Sequence, residues 1–233
     1  MQLFYIPEVT GKTIIPETAE SKHMVKVLRL RRGDKVQVVD GKGGFYEAEI
    51  ADDNPKRCVL SVMNSTQEFG KREFRLHIAI APTKNNDRFE WFLEKATELG
   101  IDEISPVLCD HSERKAIKPD RLEKILVSAM KQSLKAYLPK LNPLITVSEL
   151  IAANSGNQKF IAHCNEGNKQ HLKNVVNAKE DVLVLIGPEG DFSTEEIGFA
   201  RGNGFTEVTL SKSRLRTETA GVAACQIVNL ANE

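Results

Sequence analysis

From Phe74 onward the chain alternates between short apolar runs and longer stretches with helical spacing. FRLHIAIAP, EISPVLC, KFIAHC, VLVLIGP and EVTLS are nearly continuous aliphatic and β-branched runs, the pattern of strands buried on both faces. DRFEWFLEKATELG, KPDRLEKILVSAMKQSLKAYL, NKQHLKNVVNA, STEEIGFARGNG and TETAGVAACQIVNLANE read instead as helices, with apolar residues three and four apart. Gly100 stops the first of these and Pro119 starts the second. Ser193 with Glu196 three positions later is a capping box at the start of the fourth. Strands and helices in alternation predict an α/β domain, a parallel sheet with helices on both faces.

Before this region the texture differs. RRGDKVQVVDGKGGFYEAEIADDNPKRCVLSVM alternates in period two, with turns at Arg32-Gly33-Asp34, Asp40 to Gly44 and Asp52 to Pro55. Short strands between such turns predict a small β-barrel or sandwich. SKHMVKVLRL reads as a short helix with Ser21 as its cap, and Asn64 to Gly70 as a linker. The expected organisation is a β domain over residues 1–68 followed by an α/β domain over 72–233.

Composition narrows the picture only in part. The 233 residues are 41% hydrophobic and 27% charged, as in ordinary globular proteins. Lys plus Arg and Asp plus Glu both total 32, so net charge argues neither for nor against a polyanionic partner. Cys58, Cys109, Cys164 and Cys225 lack ligand spacing and read as reduced thiols, mostly buried, with no metal or disulfide framework. MQLFYIPEVTGKT lacks the features of a signal peptide, and no run approaches the roughly 18 apolar residues of a membrane span, so a cytoplasmic protein without membrane association is expected. Positive charge is nonetheless clustered. Lys22, Lys26, Arg29, Arg31 and Arg32 crowd one short segment; Arg114, Lys115, Lys118, Arg121, Lys124, Lys131, Lys135 and Lys140 form a second group. Any one such residue reads as part of a solvated face; as clusters they suit phosphates.

Three strand ends carry unusual residues. IAHCNEG places Cys164 and Asn165 past a strand, LIGPEGD follows another, and TLSKSRLRTETAG runs from a third into a helix rich in small residues. Ligands of open α/β sheets bind beyond the carboxyl ends of the strands. A strand–loop–helix layout with glycines also cradles phosphate, but Glu189 and Asp191 would repel one, so the loop suits a neutral or cationic ligand. Each feature also has a plain structural reading. The Gly-Pro-Glu loop is an ordinary turn, Arg216 pairs with a helix carboxylate, Glu218 favours a helix N-terminus and Cys164 is a small buried hydrophobe. Gly221 inside a helix costs about 1 kcal/mol against alanine and suits close approach by another backbone or a flat ligand.

LIGPEGDFSTEEI, followed by a strand and then LRTETAGVAA, resembles the paired C-terminal motifs of RsmE-type 16S rRNA (uracil-N(3)) methyltransferases of the SPOUT superfamily. HMVKVLRLRRGDKVQVVDGKGGFYEAEI is similar to that family's PUA-like β-barrel, and KATELGIDEISPV, Gln132-Ser133 and Pro139 match its middle signatures. The resemblance implies an α/β SPOUT methyltransferase domain with a C-terminal trefoil knot, preceded by a small PUA-like β-barrel domain. It implies S-adenosylmethionine bound between the three loops. Leu185, Ile186, Gly187, Glu189 and Gly190 would line one side, and Leu210, Ser211, Leu215, Arg216 and Thr217 another. Ala220 lies where the helix meets the ligand, with Cys164 and Asn165 at the remaining strand end. The sequence departs from the family pattern at Asp191 (usually glycine), at Ser211 and Ser213 within LSKSRLR, at Lys135 (usually arginine) and at Leu3.

The implied reaction is transfer of the cofactor methyl to N(3) of one uridine in the decoding region of 16S rRNA, within the small ribosomal subunit. Arg216 would stabilise the uracil anion, while Glu218 or Glu189 orients the base or takes its proton. His23, His111 and His163 are further candidate bases. Lys22, Lys26, Arg29, Arg31, Arg32 and Lys135 would contact RNA, and a homodimer through the knotted domain is implied. Methyl transfer needs no metal. Two alternatives stay open: a SPOUT enzyme methylating a ribose 2′-hydroxyl, and a non-catalytic RNA-binding assembly protein.

Overall fold

A five-stranded sheet begins the chain, formed because its strands alternate inward apolar and outward polar residues. The structure, a computed structural model, describes residues 2–153 and 158–233. Strand β1 (Leu3–Tyr5), β2 (Thr13–Ile14), β3 (Lys35–Val39), β4 (Phe45–Asp52) and β5 (Val59–Thr66) lie in the order β1-β3-β4-β5-β2. Phe4, Ile14, Met24, Val36, Val38, Ile50 and Leu60 fill its core. Helix α1 (Thr18–Lys22) passes directly into one π-helical segment, His23–Val27. Ser21 does not cap this helix. It is buried inside it, its hydroxyl donating to Pro16 O at 3.2 Å and accepting from Cys58 N at 3.1 Å. Nor is Asn64 to Gly70 a plain linker, since β5 runs on to Thr66 and Phe69 stacks on Phe45 at 4.6 Å.

The second sheet is parallel throughout. It contains β6 (Leu76–Ile80), β7 (Glu103–Leu108), β8 (Lys140–Leu141), β9 (Ile145–Thr146), β10 (Gln158–Ala162), β11 (Gln170–His171), β12 (Val182–Ile186) and β13 (Thr206–Thr209). The order is β11-β13-β10-β12-β6-β7-β8, with β9 paired to β7. Its central strands are buried on both faces, with α4 (Val147–Ala153) and α5 (Thr194–Gly202) against one and α6 (Thr217–Leu230), backed by α2 (Asn86–Leu99), against the other; α3 (Pro119–Gln132) is a further helix. On one face Ile161, Leu183, Leu185 and Val107 pack with Leu150, Phe192, Ile197 and Phe205. On the other, α6 meets α2 and β6 so closely that a Cβ on Gly221 would stand 2.6 Å from the Phe92 ring and 2.9 Å from Ile80. The close approach that Gly221 permits is therefore to core side chains.

By contact the chain divides into Met1–Lys71 with Met130–Leu138, and Arg72–Ala129 with Pro139–Glu233. The segment 130–138 thus interrupts the continuous 72–233 span expected from sequence. Met130 and Ala136 pack with Leu3 and Val39, and Lys42 bridges to Tyr137. Two further expectations are corrected. NKQHLKNVVNA is not a helix but the short β11 followed by a single 3-10 turn, Leu172–Asn174. The long helix beginning at Pro119 ends at Gln132, and Leu134 turns left-handed at φ 56°. No helix among the described residues is long and apolar enough to cross a membrane.

Candidate active site

Strands β13, β10 and β12 are adjacent and parallel, so their carboxyl ends emerge at one edge of the sheet. The loops 163–169, 187–193 and 210–216 leave from that edge. Leu185 and Ile186, the last two residues of β12, are buried as whole residues, 0% and 2% exposed.

The loop after β12 is held by specific bonds. Asp191 N–H donates to Pro188 O at 2.9 Å, closing a turn in which Asp191 takes φ 65°. A left-handed non-glycine residue is strained, though aspartate tolerates it better than most because its short side chain bonds locally. Here Asp191 Oδ1 accepts from Phe192 N at 2.9 Å, and Oδ2 accepts from Cys164 N at 2.7 Å. One carboxylate thus ties the loop after β12 to the loop after β10, beside the exposed Cys164 and Asn165. The Lys169 ammonium shapes that second loop by donating to His163 O at 2.6 Å and Asn165 O at 2.5 Å.

Gly190 is required by a neighbour in the fold. A Cβ there would lie 2.9 Å from His111 Cβ, and the His111 ring Nδ1 donates toward the carbonyls of Gly190 and Asp191, each at 3.1 Å. Gly187 packs against Phe192, whose ring would be 3.1 Å from an added Cβ. The Ser193–Glu196 capping box forms as expected. It is extended by the Ser193 hydroxyl donating to Asp110 Oδ2 at 2.7 Å, and by Asp110 N–H donating to Glu196 Oε1 at 2.9 Å. Glu189 stays exposed and accepts from Lys84 N at 3.0 Å, while Arg114 donates to the carbonyls of Thr83 and Lys84 at 3.0 and 2.5 Å.

Past β13, Thr209 Oγ1 donates to Ser211 O at 2.9 Å and Ser211 Oγ accepts from Ser213 N at 3.1 Å. The Ser211 side chain therefore serves turn formation, while Ser213 contributes only its backbone N–H. Arg216 occupies the N-cap position of α6 without a side-chain capping bond, leaving its guanidinium exposed. Thr217 and Glu218 then fall inside the first turn, 5% and 6% exposed.

A cavity of about 520 Å³ opens between the start of α2 and the start of α6, lined by Asp87, Arg88, Trp91, Arg214, Leu215, Arg216, Glu218 and Thr219. Glu218 Oε1 lies 3.8 Å from Arg88 Nε, but Oε2 is buried with no hydrogen-bond partner among the described residues. Leaving a buried oxygen unsatisfied costs about 1–3 kcal/mol, so such an atom at a cavity wall marks a place for a donor. Arg216 and Glu218 thus share one cavity. Glu189 does not line it, and its carboxylate is engaged by Lys84.

Sequence reasoning missed Asp87, Arg88 and Trp91. The available signal was the buried pattern of α2, Phe89, Phe92, Leu93 and Ala96, which excludes Trp91. Of the candidate bases, His163 is buried between Glu207 (Nε2 to Oε2, 2.9 Å) and Lys169 (Nδ1 to Nζ, 3.2 Å). Burial first, and then the Lys169 charge, hold its pKa below the ordinary histidine value. His111 anchors the loop after β12, and His23 bonds Glu20 at 3.3 Å in the other unit.

The basic clusters divide. Lys22, Lys26, Arg29, Arg31 and Arg32 are all exposed, and Lys22 and Lys26 border a groove with His23, Val27 and Lys56. Lys135 is half-buried in the 130–138 segment. In the second cluster, Arg121 pairs with Glu90, Lys140 with Glu103, and Arg114 with backbone carbonyls, so these three serve the fold.

Of the three loops at this edge, the one after β12 has the chemistry that suits a sulfonium ligand. Residues 182–197 hold no lysine or arginine, while Glu189 and Asp191 supply negative charge. Comparison with known proteins agrees. The family model described as an RNA methyltransferase domain matches residues 71–229, and an RNA methyltransferase PUA domain matches 15–63. The chain is 28% identical to the ribosomal RNA small subunit methyltransferase E of Synechocystis, over 98% of this chain and 77% of that protein. To the Aquifex aeolicus protein of the same name it is 27% identical, over 98% and 99%. The crystal structure of a probable rRNA-methyltransferase from Porphyromonas gingivalis superposes with a TM-score of 0.93 at 40% identity, covering 100% of this chain and 98% of that one. A ribosomal RNA small subunit methyltransferase E from Neisseria gonorrhoeae, crystallised bound to S-adenosyl methionine, gives 0.89 at 27% identity over 100% and 98%. The chain belongs to the RNA methyltransferase family, with that family's PUA domain preceding its catalytic domain.

Proposed function

We propose that the protein methylates N(3) of a single uridine in the decoding region of 16S rRNA, acting in the cytoplasm on the small ribosomal subunit with S-adenosylmethionine as methyl donor. The domain reading (1–68 PUA-like, 72–233 SPOUT, with 130–138 grouped by contact with the first), the C-terminal trefoil knot and a homodimer through the knotted domain belong to this proposal. The observation that carries it is the unpartnered Oε2 of Glu218 in a cavity shared with Arg216.

Bound S-adenosylmethionine supplies a methyl group on a cationic sulfur. Leu185, Ile186, Gly187, Glu189 and Gly190 would hold it from one loop, Leu210, Ser211, Leu215, Arg216, Thr217 and Ala220 from another, and Cys164 and Asn165 from the third. Glu218 Oε2 accepts the N(3) proton of uracil, freeing the nitrogen lone pair to take the methyl as its bond to sulfur breaks. Arg216 stabilises the negative charge that develops on the uracil carbonyl oxygens. Glu189, bonded to Lys84 N, holds the turn before α2 and keeps the cofactor side acidic. The exposed Lys22, Lys26, Arg29, Arg31 and Arg32 meet phosphates, with Lys135, and supply affinity rather than base readout.

The test uses small ribosomal subunits from cells lacking this enzyme and cofactor labelled in the methyl group. Label is expected to enter 16S rRNA. Glu218→Gln is expected to lower turnover about a hundredfold or more, within the range for a general base, with cofactor affinity unchanged. Undiminished transfer by Glu218→Gln would remove Glu218 from the mechanism, and label absent from RNA with the wild-type enzyme would defeat the functional reading itself.

A further inference from the structure

Trp91 is the chain's one tryptophan, and it is 42% exposed on a helix whose apolar face is complete without it. Phe89, Phe92 and Leu93 beside it are 3%, 0% and 0% exposed. The largest apolar side chain in the sequence is thus withheld from the core and set at the wall of the cavity that holds Arg216 and Glu218. We propose that Trp91 and Glu218 form a subsite for an unpaired uracil, with the indole stacking on the face of the ring and the carboxylate reading its N–H edge. The proposal rests on the functional reading above and adds to it how the base is held and chosen.

Three properties of the site support this. A cavity of about 520 Å³ lies within the range of small-ligand sites, roughly 300–1,000 Å³. The indole rides on a rigid support. Asn85 caps α2, its Oδ1 accepting from Asp87 N at 2.9 Å, and Phe92 one residue away is pressed against Gly221 of α6. A stacking platform must be fixed before the base arrives, and the cap and the close α2–α6 packing both restrain this helix. Arg88 and Arg214 border the same cavity and can meet the flanking phosphates.

The edge contact supplies the selection. Uracil presents a ring N–H between two carbonyls, which gives the orphaned Glu218 Oε2 the donor it lacks. Cytosine in the same pose would turn the lone pair of its N(3) toward the carboxylate, and adenine would do the same with N1. Stacking alone tolerates every base, because each has a π-face. Discrimination against cytosine and adenine must therefore come from the edge, where either leaves a buried carboxylate oxygen unpaired.

Because Trp91 is the only tryptophan, its emission reports the subsite directly. Full-length protein would be titrated with a dye-labelled nine-nucleotide RNA carrying one central uridine, and with the same RNA carrying cytidine there; dye anisotropy follows binding. Saturable quenching by the uridine RNA is expected, with the cytidine RNA at least tenfold weaker. Trp91→Ala should lower kcat/KM for RNA tenfold to a hundredfold with cofactor affinity unchanged, and Trp91→Phe, which keeps a ring, should recover most of the loss. Emission unchanged at saturating RNA, or wild-type kcat/KM in Trp91→Ala, would overturn the subsite. So would emission that follows protein concentration and not RNA, because a second copy would then cover the ring. Quenching by uridine RNA in an enzyme that transfers no methyl would support the subsite and overturn the reaction assigned to it.

Discussion

Asp191 carries two duties that oppose each other. Its φ of 65° is strained for any residue with a side chain, yet its carboxylate joins two loops separated by 27 positions. Glycine at this position would relieve the strain and lose the bridge. Alanine would keep the strain and lose both bonds. Asp191→Ala is therefore expected to lower stability by about 2 kcal/mol, the loss of its charge-assisted hydrogen bonds with the strain left as it was, and Asp191→Gly by less because the strain is relieved. Cofactor affinity should fall in both, because Cys164 N loses its acceptor and the loop after β10 is released. Thermal denaturation and calorimetric titration of the two variants check this; a Gly variant no more stable than the Ala variant would refute the strain argument. The sequence exposed Asp191 only as an oddity where related proteins have glycine. Its role was not legible, because a hydrogen bond to a residue 27 positions away leaves no local pattern. The same holds for Gly190, whose neighbour His111 lies on a different loop.

At the scale of elements, the strands and helices with strong periodicity were readable, and several helix ends followed from Gly100, Pro119 and the Ser193 box, whereas the Asn85 cap of α2 emerged only in the structure. Weaker patterns were overridden by tertiary contacts. NKQHLKNVVNA has apolar residues at helical spacing, but Gln170 and His171 pair with β13 at the sheet edge and leave room for only one 3-10 turn. Between β6 and β7 the sheet also holds a polar network, built on the buried Glu103 and Ser105, that no motif announced. His77 Nε2 lies 2.8 Å from Ser105 Oγ, Asn142 Nδ2 donates to Ser105 Oγ at 2.8 Å and to Glu103 Oε1 at 2.6 Å, and Arg75 and Lys140 pair with Glu103. Burial, offset by Glu103 and reinforced by Arg75 and Lys140, lowers the His77 pKa from 6.5 to about 4. The unfolded chain therefore takes up this proton from about pH 6.5 downward while the folded protein resists until about pH 4. Stability is full above the unfolded pKa and falls between those values by roughly 3 kcal/mol, at about 1.4 kcal/mol per unit. Glu103 is held below the ordinary value: burial acts to raise it, and the Asn142 hydrogen bond with the His77 and Arg75 charges prevails. Its contribution is lost in the same direction, below about pH 4.5. His77→Gln should flatten the stability profile between pH 6.5 and 4.5 in chemical denaturation. An unchanged slope would show that His77 is not the group responsible.

At the scale of the whole molecule, two units with different chemistry meet in one chain. The small β unit bears exposed lysines and arginines, and the α/β unit gathers three strand ends and a cavity with an unpaired carboxylate. The alternation of strands and helices and the LRTETA stretch made this organisation legible in sequence. The return of 130–138 to the first unit was not, because the division falls inside a helix of unbroken periodicity, Pro119–Gln132. The neutral total charge also hid the division of labour among basic residues, since ion pairs such as Arg121 with Glu90 appear only in three dimensions. The central claim is the position of the methyl group. Reverse transcription of 16S rRNA from subunits treated with enzyme and S-adenosylmethionine tests it directly, because a methyl on N(3) blocks base pairing and halts copying. One new stop, at a single decoding-region uridine and dependent on both enzyme and cofactor, is the expected result. Methyl label in the rRNA without any new stop would place the group on a ribose or another pairing-neutral atom and contradict the account.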